Sequence, residues 1–134
     1  MRPDIPTSRV NVFGILRWWI PPILWVGVIF ALSSTPVNGF PRVDIPHLDK
    51  VVHFLLFFLF GVFIARAHRA SVPGTPRVKV AVMSVLLAGT YAFFDECHQQ
   101  FIPGRMVEAG DLVADLMGLG VGIACYLVCA NRKG

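Results

Sequence analysis

The chain has 134 residues, of which 55% are hydrophobic and only 15% charged, with 11 Phe, 3 Trp and a formal net charge of +4. A soluble domain carries about a quarter of its residues as charges, so this composition, with a mean hydropathy of +0.66, points to a membrane protein and excludes an ordinary soluble domain. The basic charge does not mark a nucleic-acid binder, because Lys and Arg sit in the joints between apolar runs, where they orient a chain in a bilayer.

The first apolar run is Trp18 to Ser33. Pro21 and Pro22 stand near its start, where a missing N–H is tolerated, and Trp18 and Trp19 read as an interfacial belt. Arg9, Arg17 and Ala31-Leu32-Ser33 also resemble a signal peptide with a cleavage site, so a cleaved leader stands as the alternative to a retained helix. The second run is Val51 to Ala67, the third Val78 to Phe94 and the fourth Leu112 to Ala130. Pro36, Pro41, Pro46, Pro73, Pro76 and Pro103 all fall between runs and support these boundaries. Four spans of about 20 residues use up most of the chain. The predicted fold is therefore all-α, a polytopic four-transmembrane-helix bundle. Residues 1–17 form an N-terminal segment, 18–130 the membrane domain and 131–134 a tail.

Orientation follows from the basic residues. Arg2, Arg9 and Arg17 precede the first run, Arg66, Arg69, Arg77 and Lys79 flank the second loop, and Arg132 and Lys133 lie in the tail. Only Arg42, Lys50 and Arg105 fall on the other side, so both ends and the middle loop are expected in the cytoplasm. Asp4 is then the inner acid, while Asp44, Asp49, Asp95, Glu96, Glu108, Asp111 and Asp115 gather at an acidic outer end with His47, His53 and His98. A bacterial cytoplasmic (inner) membrane is the expected location, with the polar cluster facing outside and the lipid bilayer as first partner. The three cysteines make no disulfide framework: Cys125 and Cys129 lie one turn apart in an apolar run as small packing residues, and Cys97 has no obvious partner.

Three segments carry the chemistry. Asp49 and His53, four apart, share a face at the entry of the second helix. Helix entry explains Asp49 and the snorkelling Lys50, but His53 lies within the apolar span and calls for a specific partner or a function. Tyr91, Asp95 and Gln99 form one polar stripe at the exit of the third helix, and Glu96 and Gln100 a neighbouring one. Two acids near a helix C-terminus oppose the macrodipole, so a basic group, a metal or a ligand is expected beside them, unless they simply face water in a loop. Pro103-Gly104 reads as a turn that throws Arg105 back as a bidentate counter-charge. On the fourth helix Asp111, Asp115, Gly118 and Gly122 share a face. The G-x-x-x-G pair lets another helix approach closely and turns Asp115 inward, where an acid costs about 2.5 to 3.5 kcal/mol unless paired or hydrated. A link of Asp115 to Arg105 or to His53, fastening the helices, is the structural explanation.

These segments, in this order, resemble the VanZ-like family of small membrane proteins, named for teicoplanin resistance. The family pattern is D-K-x-x-H-F, then D-E-x-x-Q, then F-x-P-G-R, then spaced acids and glycines on a last helix. Here it reads Asp49-Lys50…His53-Phe54, Asp95-Glu96…Gln99, Phe101…Pro103-Gly104-Arg105 and Asp111…Asp115…Gly118, over roughly Trp25 to Tyr126. Asp115 departs from it, since the family often has Asn there. The resemblance implies a link to the cell envelope and, in some members, low-level glycopeptide tolerance; it implies no particular reaction.

Three functions follow. The first is a binding protein or modifier of an envelope component, such as a lipid-linked precursor or a glycopeptide-related ligand, using Asp49, Lys50, His53, Asp95, Glu96, Gln99, Arg105, Asp111 and Asp115. The second is a membrane-embedded enzyme with His53 as general acid or base, oriented by Asp49, Asp95 or Glu96. No cofactor is expected; a divalent metal on His53, Asp95 and Glu96 is a variant of the enzyme reading, although no H-E-x-x-H spacing is present. The third is a scaffold subunit in which the cluster fastens helices and Gly118 and Gly122 mediate an oligomer.

Overall fold

The computed structural model describes residues 12–36, 39 and 45–131. Arg2, Asp4, Arg9, Pro41, Arg42, Asp44, Arg132 and Lys133 lie outside the described residues, as do most of the N-terminal segment and the tail. Four helices follow one another: α1 (Val12–Ser33), α2 (Leu48–Ser71), α3 (Arg77–Gln99) and α4 (Ala109–Asn131). Each is long and apolar enough to cross a membrane. Their 22 to 24 residues give lengths of about 33 to 36 Å against a hydrocarbon core of about 30 Å. Leu24, Leu86 and Phe94 are more than 60% exposed, a cost in water but not against lipid tails.

The helices outrun the apolar runs that announce them. α2 extends beyond Ala67 through His68 to Ser71, and α3 beyond Phe94 to Gln99. The extra residues are polar, yet His68, Asp95, Glu96 and Gln99 are buried between helices, so the helix continues where composition alone suggests a loop. α1 begins six residues before the predicted start, which places Pro21 and Pro22 inside it rather than near its start. Each proline lacks an N–H, so the carbonyls of Arg17 and Trp18, four residues earlier, lose their helical partner. Membrane helices tolerate this where neighbouring groups compensate.

The tightest packing joins α2 to α4. A methyl group added at Gly61 would stand 2.5 Å from the Leu119 carbonyl oxygen, and one at Gly118 or Gly122 would run into the carbonyl of Phe54 or Phe58. The helix admitted by the G-x-x-x-G pair is therefore α2 of the same chain. Gly118 and Gly122 are both buried, and α2 fills their face within the molecule. Phe57, Phe60, Ile64, Leu119 and Ile123 complete this core, which Ile29 of α1 and Ala88 and Ala92 of α3 join. Cross-ties hold α1 in place: the Trp25 indole N–H donates to the Leu56 carbonyl at 2.8 Å, and the Tyr91 hydroxyl to the Val26 carbonyl at 3.3 Å.

One end of the bundle is basic. The guanidinium groups of Arg17 and Arg66 lie 4.7 and 4.5 Å from the Trp18 ring, a cation–π sandwich suited to a headgroup layer. Nearby, Trp19 donates to Ser71 Oγ at 2.8 Å, and His68 Nδ1 pairs with Ser84 Oγ at 2.8 Å. Arg77 donates to Asn131, tying α3 to α4.

Candidate functional site

The opposite end gathers the acids, and it is built in two halves. The adjacent residues Asp95 and Glu96 divide between them, because successive positions on a helix point about 100° apart.

Asp95 belongs to the α1 half. Its Oδ2 accepts from Ser33 Oγ at 2.7 Å and from Gln99 Nε2 at 3.4 Å. Pro103-Gly104 forms the expected turn, with Gly104 at φ +80°, and returns Arg105 over this half. Arg105 donates to the carbonyls of Leu32 at 2.8 Å and Thr35 at 3.1 Å, and to Gln99 Oε1 at 3.3 Å. Leu32 lies in the last turn of α1 and its carbonyl also accepts the Thr35 N–H at 3.2 Å, while Thr35 follows the helix end. The guanidinium thus caps the end of α1 besides contributing charge. His98 pairs with Ser34 Oγ at 3.1 Å and stacks on Phe30 at 5.1 Å.

Glu96 belongs to the α2–α4 half. Its Oε1 accepts the backbone N–H of Glu108 at 2.8 Å, which fixes the chain as it enters α4. His53 Nδ1 and Asp115 Oδ1 lie 3.0 Å apart, so of the two links considered for Asp115 the pairing with His53 forms. His53 Nε2 is 4.0 Å from Asp111 Oδ2. Above them Lys50 Nζ contacts Glu108 at 2.8 Å, Asp49 at 2.9 Å and Asp111 at 3.1 Å. The result is a stack: a partly exposed layer of three acids around one ammonium, and below it His53, Glu96 and Asp115.

Exposure falls from the rim inward, with Asp111 and His53 both buried at the junction of the two layers. The Asp49 side chain is 53% exposed and that of Glu108 44%, whereas that of Asp115 is fully buried. Three buried carboxylate oxygens have no hydrogen-bond partner among the described residues: Asp95 Oδ1, Glu96 Oε2 and Asp115 Oδ2. Two acidic groups can supply a metal-sized set of donors, Asp49–Glu108–Asp111 and His53–Glu96–Asp115, each with one donor atom per residue within 4.8 Å of the others. The anticipated trio of His53, Asp95 and Glu96 is therefore altered: Asp95 turns toward Ser33, and Asp115 takes its place. Chemically, His53 held by one buried carboxylate and flanked by another is suited to proton transfer as well as to ligation.

All nine residues singled out in the sequence lie at this end. Sequence reasoning placed Glu108 and His98 at the acidic end without giving them a role in the site, and it did not assign Ser33 or Ser34 to it. Ser33 and Ser34 carried no signal beyond closing an apolar run, and Glu108 lay in a short loop whose path depends on Glu96.

A family model described as VanZ/LLP1 matches residues 18–130. Among curated proteins, an uncharacterized protein of Schizosaccharomyces pombe, C11E3.10, is 23% identical over 112 residues, 83% of this chain. The chain spans 66% of that relative's length. No solved structure matches. The helical membrane bundle and the family motifs, now found gathered at one end of it, agree with this match over most of the chain: it belongs to the VanZ/LLP1 family.

Proposed function

We propose that this protein binds the polar headgroup of a lipid-linked cell-envelope component at the acidic end of its bundle. The observation that carries this reading is the set of three buried carboxylate oxygens without partners, on Asp95, Glu96 and Asp115. A buried acceptor left unsatisfied costs about 1 to 3 kcal/mol, more if charged, so a site that keeps three of them has a use for their vacancy. Acceptors of this kind suit a headgroup rich in hydroxyl or amine donors, such as a sugar. Arg105, at the rim, adds a contact that an adjoining phosphate needs. The charge asymmetry between the ends supports placing the acidic end on the outer face of a bacterial cytoplasmic membrane, and low-level glycopeptide tolerance is a plausible cellular consequence of binding there.

The experiment uses the full chain in nanodiscs doped either with a polyprenyl-diphosphate-linked disaccharide or with phosphatidylcholine alone. Wild-type protein is expected to retain the glycolipid, and His53→Ala, Glu96→Ala and Arg105→Ala to lose it at normal folded yield. Equal retention by all three variants, or no preference for the glycolipid in the wild type, refutes the proposal. Loss of folded yield in step with loss of binding returns the cluster to the role of fastening helices.

A further inference from the structure

We propose that His53, Glu96 and Asp115 hold one divalent cation of the zinc or manganese class. This goes beyond headgroup binding and draws on the same free oxygens of Glu96 and Asp115, so that a headgroup would meet the bound ion; the ion is measured alone, which keeps the two tests apart.

Three observations support the site. One donor atom from each residue lies within 4.8 Å of the other two, and the residues come from three helices, α2, α3 and α4. Donors on one such ion stand about 2.0 to 2.2 Å from it, hence about 3 to 3.5 Å from each other. The 3.0 Å between His53 Nδ1 and Asp115 Oδ1 already has this spacing, and Glu96 has only to move inward. Second, Asp115 and Glu96 are 0% and 4% exposed, and each has one oxygen, Oδ2 and Oε2, without a partner. Each of these two buried acids therefore has acceptor capacity to spare.

The third observation is the contrast with the layer above. The other acidic trio, Asp49, Glu108 and Asp111, surrounds the Lys50 ammonium, which lies within 3.1 Å of an oxygen of each. That trio contains its own cation. The inner trio has two carboxylates and an imidazole, and a divalent ion would bring two carboxylates to electrical neutrality, the state a membrane interior favours. An imidazole beside two carboxylates is a borderline donor set of the kind zinc, manganese or ferrous iron takes, rather than the all-oxygen shell of calcium. Asp111 Oδ2, 4.0 Å from His53 Nε2, is placed to orient the ring, as outer carboxylates do for metal-bound histidines. Asp95 stays outside this set, bonded to Ser33.

The test uses purified full chain in detergent, stripped with chelator and then titrated with zinc or manganese ions. Elemental analysis of washed protein gives the stoichiometry and thermal unfolding gives the stabilisation. One ion per chain is expected. Asp115→Asn and Glu96→Gln should each weaken binding by at least about tenfold, while His47→Asn, at an exposed histidine outside both trios, should leave it unchanged. Glu96→Gln keeps an oxygen for the Glu108 N–H and so guards against loss of fold. On wild-type protein, X-ray absorption at the metal edge should show one nitrogen ligand among oxygens. Failure of the stripped protein to take up either ion overturns the proposal, as does binding that survives both inner substitutions or a shell without nitrogen.

Discussion

Replacing His53 by Leu separates what the inner pair does for the fold from what it does for a ligand. His53 Nδ1 stands 3.0 Å from Asp115 Oδ1, and the Asp115 side chain has no exposure. The substitution removes one hydrogen bond, for which membrane interiors set a value of about 0.6 to 1.7 kcal/mol. It also leaves Asp115 with no partner on either oxygen, which adds about 1 to 3 kcal/mol for the stranded acceptor. The single variant should therefore lose about 2 to 4 kcal/mol. Asp115→Leu should lose less, because His53 keeps Asp111 at 4.0 Å as a fallback. The double variant His53→Leu/Asp115→Leu strands nothing, since two apolar side chains replace a matched polar pair, and it should recover most of the loss. The coupling between the positions is expected to be about 2 kcal/mol, within the range for residues in direct contact. Reversible unfolding in mixed micelles with chelator present gives the three differences without a contribution from bound metal. A coupling under about 0.5 kcal/mol would refute the argument, because independent sites add to within that margin.

The glycine packing makes a second prediction. Gly118→Ala puts a methyl group against the Phe54 backbone, which has no rotamer to escape into, so α2 and α4 must part at a cost of about 1 to 3 kcal/mol; Gly120→Ala, with nothing within 4 Å, should be neutral in the same unfolding assay. The third concerns orientation. With the native cysteines replaced by serine, Met106→Cys in the α3–α4 loop should react with an impermeant maleimide from outside the cell, and Pro73→Cys in the α2–α3 loop only after the membrane is opened; the reverse pattern would overturn the proposed outward site.

Much of this arrangement was legible in the sequence, because a bilayer imposes a strict code. Apolar runs of the right length had to be helices, and residues four apart such as Asp49 and His53, or Asp95 and Gln99, had to share a face. The inward turn of Asp115 followed from its register with Gly118 and Gly122. What was hidden depended on which helix faces which. Asp95 and Glu96 look alike in a string, yet one bonds α1 and the other the chain entering α4. The same limit applied to the metal variant, since His53 and Asp115 are 62 positions apart and no local spacing reports their meeting. Gly61 escaped notice because it lies alone among phenylalanines, and its use appears only against the Leu119 carbonyl. Ser33 was read as the end of an apolar run because the acid it serves comes from another helix.

The distribution of satisfied and unsatisfied groups separates stability from function in this fold. The α2–α4 seam, with Gly61, Gly118 and Gly122 against backbone carbonyls, relies on close packing, which operates in lipid as well as in water. The basic end is closed by matched donors and acceptors, Trp19 with Ser71 and His68 with Ser84. At the acidic end the outer trio is matched too, by Lys50. Among the described residues the unsatisfied buried oxygens are confined to Asp95, Glu96 and Asp115. A cluster meant only to fasten helices would gain stability by pairing those oxygens or by giving way to apolar side chains. Their retention on a rigid seam is the arrangement expected of a preorganised site, whose open valences are stabilised by the packing beneath them until a ligand completes them.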